Sequence, residues 1–169
     1  MLQHYGGDIG FDSIGGWRHA QGLGAYLGRQ EHEDALPRTI LYIVNPADNY
    51  VFAGMIGNFQ DDSLPAKIQF GSGWWFLDQK EAMEWQLNAL SNTGVLSRFV
   101  GMATDSRSFM SYPRDEYFRR VLCNLIGNDV EKGLLPDKEE LIGTLVKNLC
   151  FGNAAAYFDL ELGSVNDCH

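Results

Sequence analysis

The sequence has little of what membrane-spanning, secreted and disulfide-stapled proteins are built from. Its 169 residues contain no apolar run near the roughly 18 residues that a membrane helix needs. Residues 1–7 show neither the basic region nor the apolar region of a secretory signal. The three cysteines are an odd number without paired spacing, which is typical of a reducing compartment. We therefore expect a cytoplasmic protein without a membrane partner.

Metal-type histidine spacing and an excess of positive charge are missing as well. The four histidines, at positions 4, 19, 32 and 169, form no H-x-H or H-E-x-x-H pattern, so we expect no zinc site from this chain alone. Lysine and arginine number 13 against 22 acidic residues, and the net charge is -9. This charge argues against nonspecific binding to nucleic acid or anionic lipid. An anionic substrate would have to be held by a few local basic side chains.

The sequence does contain helical patterns that alternate with strand patterns. Strands are predicted where short apolar runs end in polar or glycine-rich residues, at 39–44, 67–70 and 98–103. Helices are predicted at 17–33, 50–59 and 78–92, and the last begins with a capping box of Asp78 and Glu81. Two further helices carry apolar stripes along 117–126 and 141–150.

This order of elements favours an α/β fold with a parallel sheet, because strands that alternate with helices are joined by right-handed crossovers. Three strands make a poor complete parallel sheet. A full (β/α)8 barrel takes at least about 200–250 residues. The sequence therefore indicates either part of a barrel or a small open sheet.

The end of the third predicted strand carries the clearest candidate for chemistry, Asp105 and Arg107. Functional groups in such sheets gather at the carboxyl ends of the strands. A carboxylate there can bind a metal or take a proton, and a guanidinium can grip a substrate carboxylate through paired hydrogen bonds. The alternatives are a salt bridge within the loop, or Asp105 as the cap of a turn.

Glycines and tryptophans follow the second predicted strand. Gly71 and Gly73 would let the backbone approach a ligand closely, and the indole of Trp74 or Trp75 could pack on a sugar face. The alternative is that the tryptophans serve only as packing. By contrast, Arg114, Arg119 and Arg120 alternate with acidic residues and are interpreted as a solvated helix face with i,i+4 ion pairs.

Four stretches of the chain resemble the uronate (glucuronate) isomerases of the amidohydrolase superfamily. They carry the motifs GFDSIG, GNFQD, KIQFGSGWWF and, within 96–127, RFVGM, TDSRSF and EYFRR. The resemblance covers the chain up to about residue 158. It implies that residues 1–158 hold the last three strands and following helices of a (β/α)8 barrel, too short for the whole enzyme, and that residues 159–169 form a disordered tail.

The resemblance also implies site residues and a reaction. Asp105 would be the acidic metal ligand and catalytic base, Arg107 would bind the uronate carboxylate, and Trp74 or Trp75 would line the substrate pocket. The reaction would convert glucuronate to fructuronate and galacturonate to tagaturonate by aldose–ketose isomerisation. A divalent metal, which we expect to be zinc, would bind to the full-length enzyme. It would not bind tightly to this chain alone. The implied partner is a sugar acid, with a homo-oligomer as a further possibility.

Two departures from the family pattern leave alternatives open. The family's His-x-His pair, from its first strand, has no counterpart here, and Asp115 stands where the family usually has histidine. The chain could therefore be a piece of a functional isomerase, inactive alone, or a non-catalytic truncated product. A third hypothesis is a small sugar-acid-binding module that uses Arg107 and the tryptophans.

Overall fold

The computed structural model of the chain describes residues 19–62, 64–72, 77–103 and 108–160. Its helices are α1 (His19–His32), α2 (Asn49–Gly57), α3 (Lys80–Thr93), α4 (Pro113–Glu131), α5 (Glu139–Lys147) and α6 (Asn153–Tyr157), and its strands are β1 (Thr39–Leu41) and β2 (Ile68–Phe70). A π-helical turn, Asn148–Gly152, joins α5 to α6. The predicted helices and the first two predicted strands are thus confirmed, although residues 17 and 18 of the first predicted helix lie outside the described residues. Of the predicted tail 159–169, residues 161–169 also lie outside them, whereas Asp159 is held by an ion pair with Arg38 at 2.7 Å, so the tail does not begin at residue 159.

The two strands form a small parallel sheet. Thr39 lies opposite Ile68 and Leu41 opposite Phe70, and a hydrogen bond from Gly71 N to Leu41 O, 2.7 Å long, extends the pairing. All three residues of β2 are buried, as expected of a strand covered on both faces. β1 is shorter than the predicted 39–44, because pairing ends at Leu41. The described fold is helical with a parallel sheet, which confirms the α/β class.

The third predicted strand, 98–103, is wrong as a strand. A 3-10 turn occupies Leu96–Arg98, and the residues after it run beside β2 without a backbone ladder. Side-chain amides bind two carbonyls that could otherwise take part in a strand ladder. Gln69 Nε2 donates to Arg98 O at 3.0 Å, and Asn153 Nδ2 donates to Phe99 O at 2.8 Å. Gly101 has a φ of +85°, which a regular strand cannot accommodate.

Helices cover the sheet with a continuous apolar core. The ring of Phe52 in α2 stacks on Phe70 of β2 at 6.5 Å, and Phe99 meets Phe118 of α4 edge to face at 6.3 Å. The predicted stripe of α4 is confirmed except at Tyr117, which is exposed. No helix among the described residues is long and apolar enough to cross a bilayer.

The C-terminal helical segment braces the amino ends of the strands. Tyr157 Oη donates to Lys67 O, one residue before β2, at 2.9 Å. Arg38, one residue before β1, donates from Nη1 to Tyr157 O at 2.5 Å. Asn153 holds Phe99, as described above. Because α6 and its surroundings occupy this end of the sheet, the opposite end, where the strands have their carboxyl termini, is the end available for a site.

Candidate active site

The predicted site residues fall in two short segments that lie outside the described residues. We name residues 73–76, which include Trp74 and Trp75, the tryptophan segment. We name residues 104–107, which include Asp105 and Arg107, the Asp-Ser-Arg segment. The structure describes the residues that come immediately before and after both segments. These flanking residues contact one another.

The residues that immediately precede the two segments are bonded to each other. The hydroxyl of Ser72 accepts a hydrogen bond from Ala103 N at 2.8 Å and donates one to Ala103 O at 3.1 Å. Ser72 is 3% exposed, so this pair of bonds is largely protected from water. The last described residue before the tryptophan segment therefore touches the last described residue before the Asp-Ser-Arg segment.

Gly71, at the end of β2, is closely surrounded by described residues. The ring of Tyr42, which follows β1, lies so close that a Cβ at position 71 would meet it at 2.6 Å. The amide of Gln86, buried in α3, donates a hydrogen bond to Gly71 O. Gly71 therefore leaves room for the Tyr42 ring, and the expectation that its backbone approaches a ligand closely stays a prediction.

The residues after the two segments are joined by an ion pair. Arg114 Nε, in the first turn of α4, lies 2.8 Å from Asp78 Oδ2, and the Asp78 side chain is only 7% exposed. Burial raises the pKa of Asp78, and the nearby Arg114 guanidinium opposes that rise. Two predictions are corrected here: α3 has no side-chain cap, so Asp78 forms no capping box, and Arg114 is not part of a purely solvated face.

The remaining charged residues of α4 behave as predicted. Glu116 accepts from Arg120 Nε at 2.9 Å and from Arg119 Nη2 at 3.1 Å, the expected pairs one helical turn apart. These hydrogen bonds, with that of Arg120 the stronger influence, lower the pKa of Glu116. Asp115 and Glu116 stand in the first turn of α4, where negative charge is favourable.

Aromatic and apolar side chains follow the Asp-Ser-Arg segment. Phe109 is 81% exposed and Met110 85%, and the ring of Phe109 meets Tyr112 edge to face at 5.8 Å. Ser108 fixes this turn, since its hydroxyl accepts a hydrogen bond from Met110 N at 3.2 Å. The sequence analysis did not predict this exposed apolar cluster, although the closely spaced Phe109, Met110 and Tyr112 are a signal that could have indicated it.

The first strand end also opens onto a cavity. A space of about 190 Å³ lies at the carboxyl end of β1, lined by Tyr42, Asn45 and Asp48 together with His19 of α1. Asn45 accepts a hydrogen bond from Ala47 N at 3.1 Å and so caps the turn that starts α2. A larger cavity of about 280 Å³ lies at the amino end of β2, remote from Ser72.

The described residues do not supply a metal site. In the part of the chain that the structure describes, no three His, Cys, Asp or Glu side chains come together as ligands would. The proposed acidic ligand, Asp105, lies outside that part.

Comparison with known proteins decides which family this arrangement belongs to. The family model for glucuronate isomerase (UxaC) matches residues 1–158. The chain belongs to the glucuronate isomerase family. Its four motif stretches, recognised in the sequence as similar to that family, all lie within the matched residues.

Relatives of known name agree with this membership and show how much of the family's length is present. The chain is 64% identical over 162 residues to the uronate isomerase of Opitutus terrae and 64% identical over 161 residues to that of Solibacter usitatus. These matches cover 96% and 95% of this chain but 34% of each relative. The chain therefore spans about a third of the length of the relatives it matches.

A solved structure shares the fold of this chain, again over about a third of the longer protein's length. The crystal structure of uronate isomerase from Thermotoga maritima superposes with a TM-score of 0.78 at 31% sequence identity. The superposition covers 93% of this chain and 33% of that one. The arrangement of helices and the small parallel sheet is thus shared with a uronate isomerase.

Proposed function

We propose that this chain supplies the C-terminal part of the (β/α)8 barrel of a uronate isomerase, including one side of its active site. In this proposal residues 1–158 contribute the last part of the barrel with its helices, and β1, β2 and the extended residues 99–103 stand at the positions of its last three strands. The complete enzyme acts in the cytoplasm on a sugar acid, glucuronate or galacturonate. It converts the aldose into the corresponding ketose, and its assembly as a homo-oligomer is part of the proposal.

The observation that carries the proposal is the pair of hydrogen bonds between Ser72 and Ala103. Trp74 follows Ser72 by two residues, and Asp105 follows Ala103 by two residues. The two segments with candidate chemistry therefore begin at adjacent points, one after the carboxyl end of β2 and the other after the extended residues 99–103 beside it. In barrel enzymes this end of the strands carries the catalytic residues.

Each proposed residue has a role that suits its chemistry. The carboxylate of Asp105 acts as the base that takes the proton from C2 of the sugar and returns it to C1 through an enediol-like intermediate, while the hydroxyl proton passes from O2 to O1. Such a base contributes about 10²–10⁴ in rate. The guanidinium of Arg107 binds the uronate carboxylate through two charge-assisted hydrogen bonds. The indole of Trp74 or Trp75 lines the sugar pocket.

A divalent metal belongs to the proposal only at the level of the complete enzyme. Zinc bound there near the sugar oxygens would stabilise negative charge on oxygen. Asp105 is the one residue of this chain that we propose as a ligand. The remaining ligands would come from the part of the family's length that this chain does not span.

A chimera tests the roles of Asp105 and Arg107. The matching 162 residues of the Opitutus terrae enzyme are replaced by this chain, and glucuronate turnover is followed at varied substrate concentration. Asp105→Asn should lower kcat by about 10²–10⁴ with a smaller change in KM. Arg107→Met removes two charge-assisted bonds worth about 1.5–3 kcal/mol each, and should lower kcat/KM by roughly tens- to thousands-fold, chiefly through KM.

The matched control is Arg120→Met, which removes an exposed arginine that pairs only with Glu116 among the described residues. Its kinetics should equal those of the parent chimera. The Arg107→Met loss should also shrink for a substrate analogue without a carboxylate. If Asp105→Asn and Arg107→Met lower the melting temperature but leave kcat and KM at parent values, the two residues form a structural loop pair and the proposed roles are wrong.

A further inference from the structure

We propose that Asp78 and Arg114 are positioning residues whose ion pair, together with the Ser72–Ala103 bonds, locks two neighbouring βα units into one block. The first unit is β2 with α3. The second unit is the extended residues 99–103 with α4. The catalytic consequence of this inference rests on the proposed function, because the candidate base and the candidate sugar-binding tryptophans belong to these two units.

The two units are joined at both ends of their connections. Before the connections, the Ser72 hydroxyl bridges to both backbone groups of Ala103. After the connections, Asp78 is two residues ahead of α3, and Arg114 is in the first turn of α4. Their contact of 2.8 Å spans the two helix starts. The described residues of the two units are therefore joined on both sides of the connections.

The energetics of the ion pair favour a role in geometry over one in stability. The Asp78 carboxylate is almost fully buried while Arg114 is 41% exposed, so one partner is stripped of water and the other is not. Burial outweighs the attraction of Arg114 and leaves the Asp78 pKa above its ordinary value. A buried pair of this kind often adds little net stability over apolar residues. The planar guanidinium nevertheless fixes direction, because its Nε–H bond points along one line.

The chain offers a matched ion pair that does not join the two units. Lys67 Nζ lies 2.6 Å from Asp61 Oδ2, both side chains are partly buried, and the pair stands at the amino end of β2. Removing this pair perturbs β2 from the other end. It therefore separates a general loss of stability from a loss of coupling between the units.

Hydrogen exchange of the chain itself tests the coupling without any need for activity. Exchange is measured at one fixed protein concentration on peptides that cover 68–79 and 99–112. Arg114→Met should speed exchange roughly tenfold in 68–79, the unit that does not contain the substitution. Asp78→Asn, which keeps the side-chain shape, should do the same in 99–112. Asp61→Asn should leave 99–112 at parent rates.

Kinetics in the Opitutus terrae chimera test the catalytic consequence. A displacement of about 1 Å at an active site can cost about 10²-fold in rate. Arg114→Met and Asp78→Asn should therefore lower kcat roughly ten- to a hundredfold with KM within about twofold of the parent, and Arg114→Lys should recover part of the loss. Asp61→Asn should leave kcat unchanged.

The outcomes separate this inference from the proposed function. Exchange that rises only in the unit carrying the substitution overturns the coupling, whatever the activity. A lower melting temperature with parent kcat assigns Asp78 and Arg114 a structural role and also overturns it. If the parent chimera folds but has no turnover, the proposed function is wrong. The coupling is still tested in that case, because hydrogen exchange in each unit is measured with the substitution in the other unit.

Discussion

Gly101 gives the sharpest prediction about stability. Its backbone has a φ of +85°, and an added Cβ would run into the carbonyl oxygen of Leu149. Leu149 is fully buried and lies in the π-helical turn between α5 and α6, so the obstacle is backbone in a packed helix and not the end of a flexible side chain. Gly101→Ala should therefore be strongly destabilising.

The magnitude follows from two costs. Holding alanine at a positive φ costs about 1–3 kcal/mol, and moving the packed segment away from the new methyl group costs about 1–3 kcal/mol more. The sum, about 2–6 kcal/mol, corresponds to a fall in melting temperature of roughly 4–24 °C for a chain of this size. Because Asn153 ties Ser97 and Phe99 to α6, the segment cannot withdraw without breaking those bonds as well.

Thermal melting at one fixed protein concentration measures the effect, since the melting temperature of an associating protein depends on concentration. Gly127→Ala is the matched control. Gly127 lies inside α4, and a Cβ there would meet no atom within 4 Å. Alanine should raise stability by about 0.5–1 kcal/mol at that position. A Gly101→Ala protein that melts at or above the parent temperature would refute the described contact between residue 101 and the C-terminal helices.

Three further predictions concern the 169-residue chain by itself. It should not convert glucuronate in the presence of zinc, because it spans a third of its relatives' length, and ketose formation above a metal-only control would contradict this. It should self-associate, because Phe109 and Met110 are exposed and β1 has one unpaired edge among the described residues. A single monomer boundary in sedimentation, together with cooperative unfolding, would contradict this prediction. The pKa of Glu116 is lowered in the folded chain, so its carboxylate should stabilise the fold at pH values above the ordinary glutamate pKa of about 4.3. This contribution should be lost as the pH falls through the lowered pKa. Glu116→Gln should flatten that acid limb in melts between about pH 3 and 7, and identical limbs would count against the pairing with Arg119 and Arg120.

Local pattern was enough to predict most of the helices and two strands. The apolar runs at 39–44 and 67–70 and the stripe of α4 reflect burial on known faces, and burial is what the periodicity of a sequence records. The motif stretches also identified the family correctly. These correct predictions rest on patterns within short stretches of the chain, which can be read directly from a single sequence.

The errors came from contacts between residues distant in sequence. The run at 98–103 has strand composition, but the side-chain amides of Gln69 and Asn153 bind the carbonyls of Arg98 and Phe99, and Gly101 adopts a positive φ. Asp78 and Glu81 have the spacing of a capping box, but Arg114 of another helix takes the carboxylate. Local spacing cannot reveal such competitors, because they are brought in by the tertiary fold.

The candidate site was predictable only in part. The placement of the site at the ends of the predicted strands stays a prediction, and it is supported by the bonds between Ser72 and Ala103, which bring together the residues before two of the candidate segments. The roles of Asp105, Arg107, Trp74 and Trp75 stay predictions, since these residues lie outside the described residues. The supporting contacts of Ser72, Gln86 and Arg114 have no local signature, because each side chain is recognised by what it binds across the fold.

The most direct test of the central claim is whether this chain can replace the matching part of a working isomerase. The chimera with the Opitutus terrae enzyme joins 162 residues that are 64% identical to those they replace. We predict that it converts glucuronate to the ketose with kcat within about tenfold of the unmodified enzyme, a change of about 1.4 kcal/mol in the barrier. A chimera that is folded and as thermally stable as the unmodified enzyme, yet shows no turnover above a metal-only control, would contradict the claim that this chain carries one side of a uronate isomerase active site.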